Sequence, residues 1–145
     1  MKNSTIIKGI AYLHIFSALG IVLFWIGFYS GMIFPAEAFS LQIKNFAGYY
    51  AWETSFTVPD FILAASMATG GVIVLKDPGG SLGKLLLIAA SGGCIFLGVL
   101  DFVYDFNNGM YYLKHIFSYI LLVVGIGMPL LGISSIYFLI KSVNS

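Results

Sequence analysis

Apolar positions fill four long runs of this chain, and short polar segments separate them. A helix needs about 20 mostly apolar residues to cross a bilayer, and runs of that length lie at about 9–34, 54–75, 83–106 and 116–140. The first carries His14, the second Asp60, and the third Asp101 and Asp105, with Lys84 at its start. The fourth has no acidic or basic side chain. This pattern predicts an all-α, polytopic integral membrane protein, a single domain built as a compact four-helix bundle.

The connections refine that picture. Lys76-Asp77-Pro78-Gly79-Gly80-Ser81 is a turn by composition, since Pro and Gly end one helix before the next begins, so helices 2 and 3 should form a tight antiparallel hairpin. Between the first two runs, Phe39, Ile43, Phe46 and Tyr50 recur at helical spacing with Gln42, Lys44 and Asn45 among them. They predict a short interfacial helix between helices 1 and 2, with Pro35 at its start and Glu37 in its first turn. Tyr49, Tyr50 and Trp52 would then mark the outer boundary. Pro59 lacks an N–H and disfavours helix at Val58, so the second helix should either start at Pro59 or kink there. Small residues four apart, such as Gly27/Gly31, Ser66/Gly70 and Ala89/Gly93, offer close-packing faces, as do Gly125 and Gly132 on either side of Pro129. Lys2 and Lys8 before an apolar run resemble a signal peptide, but the run far exceeds the roughly 7–15 residues of such a core, so it is expected to stay as helix 1.

Composition narrows the function classes. The chain is 59% hydrophobic and 9% charged, whereas soluble domains carry about 25% charged residues. A net charge of +1 leaves no basic face for nucleic acid. Every basic residue except the two histidines is a lysine, so no guanidinium can clamp a phosphate. Cys94 stands alone in an apolar run, which excludes an internal disulfide and reads as packing. No phosphate-binding glycine loop, nucleophile elbow or zinc-hydrolase motif is present, and no cofactor or metal is expected. Lys2, Lys8, Lys76, Lys84 and Lys141 lie on one side of the spans, and Lys44 and Lys114 on the other. That bias predicts a multi-pass protein of the cell membrane with both termini in the cytoplasm.

The candidate chemistry lies in the acids. A carboxylate in hydrocarbon costs about 2.5–3.5 kcal/mol on insertion scales, so an intramembrane acid points to function. Counting about 1.5 Å per residue places Asp60 and Asp101 roughly 8–10 Å outside the midplane, with Glu53 and Asp105 one to two turns higher. Glu53, Thr57 and Asp60 would share a stripe on an unbroken helix, and Asp101 and Asp105 share a face. Asn107, His115 and Tyr119, in or just beyond the third connection, would complete the mouth of an outward-facing acidic pocket, with Lys114 able to neutralise Asp105. His14 comes out as far inside the midplane, either as a hydrogen-bonded packing residue or as the inner end of a proton path. It lies too far from His115 and the acids to share a metal with them.

Three readings stay open. The pocket of Asp60, Asp101, Glu53 and Asp105 could bind or transport a cation, a proton or a small ligand. The small bundle would then need to form a homo-oligomer to make a permeation path. Alternatively, the paired carboxyls could act as acid and base in an intramembrane enzyme on a lipid or isoprenoid. In the third reading the chain is an accessory subunit whose acids pair with lysines or a partner. Beyond these, the lipid bilayer is the expected partner.

Overall fold

A computed structural model describes residues 2–35, 39–40, 42–43 and 45–143, with the side chains of 2, 3 and 143 left aside. Glu37 and Lys44, two residues of the predicted interfacial helix, lie outside the described residues. The described chain is all-helical: α1 (Lys2–Tyr29), α2 (Phe46–Ser55), α3 (Thr57–Lys76), α4 (Ser81–Asn107), a 3₁₀ turn (Met110–Tyr112) and α5 (Ile116–Val143). Four helical stretches are long and apolar enough to cross a membrane, α2 and α3 together making one of them.

α1, α3, α4 and α5 form an incomplete ring. α1 packs on α3, α3 on α4, and α4 most extensively on α5, whereas α5 and α1 meet only sparsely. The closest approaches need glycine. A Cβ on Gly132 of α5 would lie 2.5 Å from the Ser91 carbonyl oxygen, and one on Gly98 of α4 would lie 2.5 Å from Pro129 Cδ. The Pro129 ring thus seats against α4 within a continuous α5. Cys94 is fully buried, with its Sγ 3.9 Å from Met67 Sδ.

The sequence pattern runs α1 to about Phe34, but the helix stops at Tyr29. Gly31, at φ +73°, turns the chain, and hydrogen bonds from Gly31 N–H to Phe28 and from Ile33 N–H to Gly27 close the helix end. Gly31 is therefore a helix stop rather than half of a packing pair. The chain then folds back over the bundle. Phe34, Phe39 and Ile43 bury against Trp25 and Phe28 of α1, Tyr49 of α2 and Phe117 of α5. The short helix predicted from Pro35 onward is not found with those bounds: α2 starts only at Phe46, where the Asn45 side chain caps Gly48 N–H, and runs on to Ser55, so of the predicted stripe only Phe46 and Tyr50 lie on it.

The break before α3 falls at Phe56, three residues ahead of Pro59. Phe56 accepts from Asp60 N–H at 2.8 Å, the first bond of α3. Pro59 therefore sits in the opening turn, where its missing N–H costs nothing, and neither begins nor kinks the helix. Asp60 lies in the same turn. At the far end, Asp77 Oδ1 accepts from Gly79 and Gly80 N–H, closing the α3–α4 hairpin. Lys84, read as a loop-flanking charge, is buried there and donates to the Ser142 carbonyl at the end of α5.

Candidate acidic cavity

Four carboxyls from three helices line one cavity of about 600 Å³: Glu53, Asp60, Asp101 and Asp105. α2 brings in Glu53, the first turn of α3 brings in Asp60, and two consecutive turns at the end of α4 bring in Asp101 and Asp105. Apolar stripes of α1, α4 and α5 make up most of the remaining wall, including Ile21, Phe24, Leu97, Val124 and Met128. Ser17 and Ser134 add hydroxyls far from the acids. The result is a polar head on an apolar trough.

The acids differ in their partners. Trp25 Nε1 donates to Asp60 Oδ2 at 3.0 Å. Tyr49 O–H donates to Asp105 Oδ1 at 3.0 Å, and Asp105 is 2% exposed. Glu53 follows Tyr49 by one turn on α2 and is also buried. Asp101 takes no hydrogen bond among the described residues and lines the cavity beside the other three carboxyls. Tyr111, in the 3₁₀ turn beyond the end of α4 that carries Asp105 and Asp101, donates its O–H to the Phe102 carbonyl at 3.4 Å. Burial, then those two charges, push its phenol up, so it stays a donor.

α2 and the aromatic cluster roof the acid end: Tyr49 is fully buried, and Trp52 stacks on Tyr104 at 4.0 Å with a 12° interplanar angle. The expected pocket open at that end is therefore closed above Glu53 and Asp105. The exposed lining residues lie instead on α1 and α5, among them Leu13, Gly20, Val123, Gly127 and Leu130.

The other sequence candidates point elsewhere. The turn at Phe56 rephases the chain, so Thr57 leaves the Glu53/Asp60 stripe, donates to the Thr54 carbonyl and accepts from Tyr29 O–H. Asn107 ends α4, exposed, two residues past the inward-facing Asp105. His115 precedes α5, and its Nδ1 accepts from Phe117 N–H as a helix cap while Phe39 packs edge-on against its ring. Tyr119 is 67% exposed on the outer face of α5. Lys114 is exposed and does not reach Asp105, whose partner is Tyr49.

No protein-family model matches the chain, and no curated protein or solved structure matches it either.

Sequence reasoning missed the two donors. Tyr49 reads as a boundary aromatic in sequence, and its approach to Asp105 is set by how α2 folds over the bundle. Trp25 is the one indole N–H in α1, and a donor opposite an acid at similar depth was the signal available. His14 lines no part of the cavity; it is fully buried among three helices, next to the lining residue Leu13 and away from the acids. Its Nε2 is 3.1 Å from Ser135 Oγ of α5 and 3.3 Å from Ser91 Oγ of α4. Ser91 already donates to the Leu87 carbonyl at 2.6 Å, so the proton of its contact with His14 must come from Nε2. That tautomer leaves Nδ1, which has no partner among the described residues, with an unpaired lone pair rather than a costlier unpaired N–H.

Proposed function

We propose that the chain is a multi-pass membrane protein whose cavity binds a cationic, amine-bearing ligand through the Asp60/Asp101 end. Insertion is supported by the outer surface, where Phe16, Val58, Phe96 and Val123 are each 66–71% exposed. Large apolar side chains exposed on each of the four long helices suit contact with lipid. Lys8, Lys76, Lys84 and Lys141 lie at the end opposite the acids, which favours a cytoplasmic location for both termini.

One observation carries the binding reading: Asp101 lines an apolar cavity beside three other carboxyls, with no cation and no hydrogen-bond donor on it among the described residues. Carboxylates gathered away from water favour an incoming positive charge, and the low dielectric strengthens the attraction. Trp25 and Tyr49 orient two of the acids, and Asp101 is left for the ligand. The test uses Trp25 fluorescence of the Trp52→Phe protein in lipid nanodiscs, titrated with butylammonium and with butanol. Saturable binding of the amine but not the alcohol, lost in Asp101→Asn, is expected. Equal responses to the two, or an unchanged Asp101→Asn, would refute the reading.

The unequal hydrogen bonding of Asp60 and Asp101 also favours a second reading, an isomerase acting on a lipid or isoprenoid alkene. One carboxylic acid would deliver a proton to one alkene carbon while the other carboxylate removes one from the allylic carbon beyond the second alkene carbon, shifting the double bond by one position without change in composition. Deuterium incorporation from heavy water into an isoprenoid alcohol, lost in Asp101→Asn, tests it.

A further inference from the structure

The seam between α1 and α5 is bounded rather than open along its whole length. At the acid end, Phe24 stacks on Phe117 at 6.2 Å and Phe28 meets the same ring at 6.3 Å. At the opposite end, His14 joins Ser135, and Ile7 and Ile10 pack with Leu139. Between these two closures α1 lines the cavity with Ser17, Gly20 and Ile21, and α5 with residues from Ile120 to Ser134. From His14 to Phe24, the closing residues on α1, the helix rises about 15 Å.

Two glycines flank this window. Gly20 of α1 and Gly127 of α5 both line the cavity and are exposed, and a Cβ built on either meets nothing within 4 Å. They differ from the glycines of the α4–α5 contact, where a Cβ would strike backbone or proline. Small residues that pack against nothing leave an aperture. The acid end, by contrast, is roofed by buried Tyr49, Glu53 and Met110.

We infer that the cavity is loaded sideways from the bilayer through this window, and that its ligand is a single-chain amphiphilic amine. The inference rests on the binding reading above. The ammonium group meets Asp101 and Asp60, and the hydrocarbon chain lies in the trough past Gly20 and Gly127, where its surroundings match the lipid it came from. A small water-borne ion would leave the apolar wall unused and would have to pass the aromatic roof.

The test compares dodecylammonium with butylammonium on the same nanodisc-embedded protein, again by Trp25 fluorescence. Partition into lipid alone raises apparent affinity by about fourfold per methylene, so the readout is the ratio of the two affinities in each variant. Gly20→Leu with Gly127→Leu fills the window and should lower the dodecyl-to-butyl ratio by about tenfold or more. Gly20→Ala with Gly127→Ala should lower it less. Gly92→Leu, where a Cβ also meets nothing within 4 Å but the residue lines no part of the cavity, should leave it unchanged. An unchanged ratio in the leucine pair, with Asp101→Asn still abolishing both titrations, would overturn the lateral route and leave the acidic site standing. Loss of the ratio in Gly92→Leu as well would also overturn the route. So would native mass spectrometry showing a dimer that the leucine pair dissociates, since the seam would then be a subunit contact. Butylammonium binding that survives Asp101→Asn removes the binding reading itself.

Discussion

The indole Nε1 of Trp25 donates to Asp60 Oδ2 at 3.0 Å, tying the last full turn of α1 to the first turn of α3. The bond fixes one carboxylate oxygen and leaves the other for the cavity. Trp25 is 1% exposed and packs edge-on against Phe24 and Phe28, so Trp25→Phe removes the donor while retaining an aromatic ring. Hydrogen bonds between helices in lipid contribute about 1–2 kcal/mol at most. Trp25→Phe should therefore destabilise the protein by about that amount in a reversible denaturation measurement. Unchanged stability would mean that Asp60 finds another donor.

Tyr49 and Asp105 form a more deeply buried pair, so their loss should behave differently. Tyr49→Phe leaves Asp105, at 2% exposure, without its donor and should cost about 1–3 kcal/mol. Replacing both partners with apolar groups removes the unpaired carboxyl together with its donor. Tyr49→Phe with Asp105→Leu should then be more stable than Tyr49→Phe alone. A double-mutant cycle reads the coupling, and additive losses would show that the pair does not interact.

The four apolar runs and the hairpin could be read directly because length and hydropathy decide them locally. The four acids could be named because charge is rare in such runs and helical phase groups them. What the sequence hid depends on contacts between distant segments. His14 and Ser135 are 121 positions apart, and no periodicity in either helix announces their bond. The stripe that included Thr57 assumed an unbroken helix, and the turn at Phe56 came from neither Pro nor Gly. Nothing in the composition of Phe34, Phe39 and Ile43 says that they fold inward over the acids instead of lying along an interface, and that choice closes the expected mouth.

His14 ties α1 to α4 and α5 through two serines, and its ring has no contact with the acids in the described structure. Ser135→Ala should cost about 0.5–1.5 kcal/mol of stability. His14→Leu should cost more, because Ser91 and Ser135 then lose a shared buried donor. Neither should shift butylammonium affinity at Asp101 by more than about twofold, a change of about 0.4 kcal/mol. A larger shift in Ser135→Ala at unchanged stability would favour the proton-path role for His14.

The glycines make the sharpest test of the packing because the same substitution should change sign from place to place. Gly→Ala in a helix interior gains about 0.8–1 kcal/mol from propensity alone. At Gly20 and Gly127 a Cβ meets nothing within 4 Å, so each alanine variant should keep most of that gain. At Gly132 the new Cβ would lie 2.5 Å from the Ser91 carbonyl oxygen and 2.6 Å from Ile95 Cγ1, and at Gly98 it would lie 2.5 Å from Pro129 Cδ. A backbone oxygen cannot rotate away as a flexible side chain can. Separation of α4 and α5 would also disturb the Ser91–His14 contact, so overpacking there should cost about 1–3 kcal/mol and outweigh the propensity gain. Gly132→Ala and Gly98→Ala should therefore destabilise the protein while Gly20→Ala and Gly127→Ala stabilise it, all read in one denaturant series. Stabilisation at Gly132 would mean that the two helices do not touch there, and the ring of four helices would have to be redrawn.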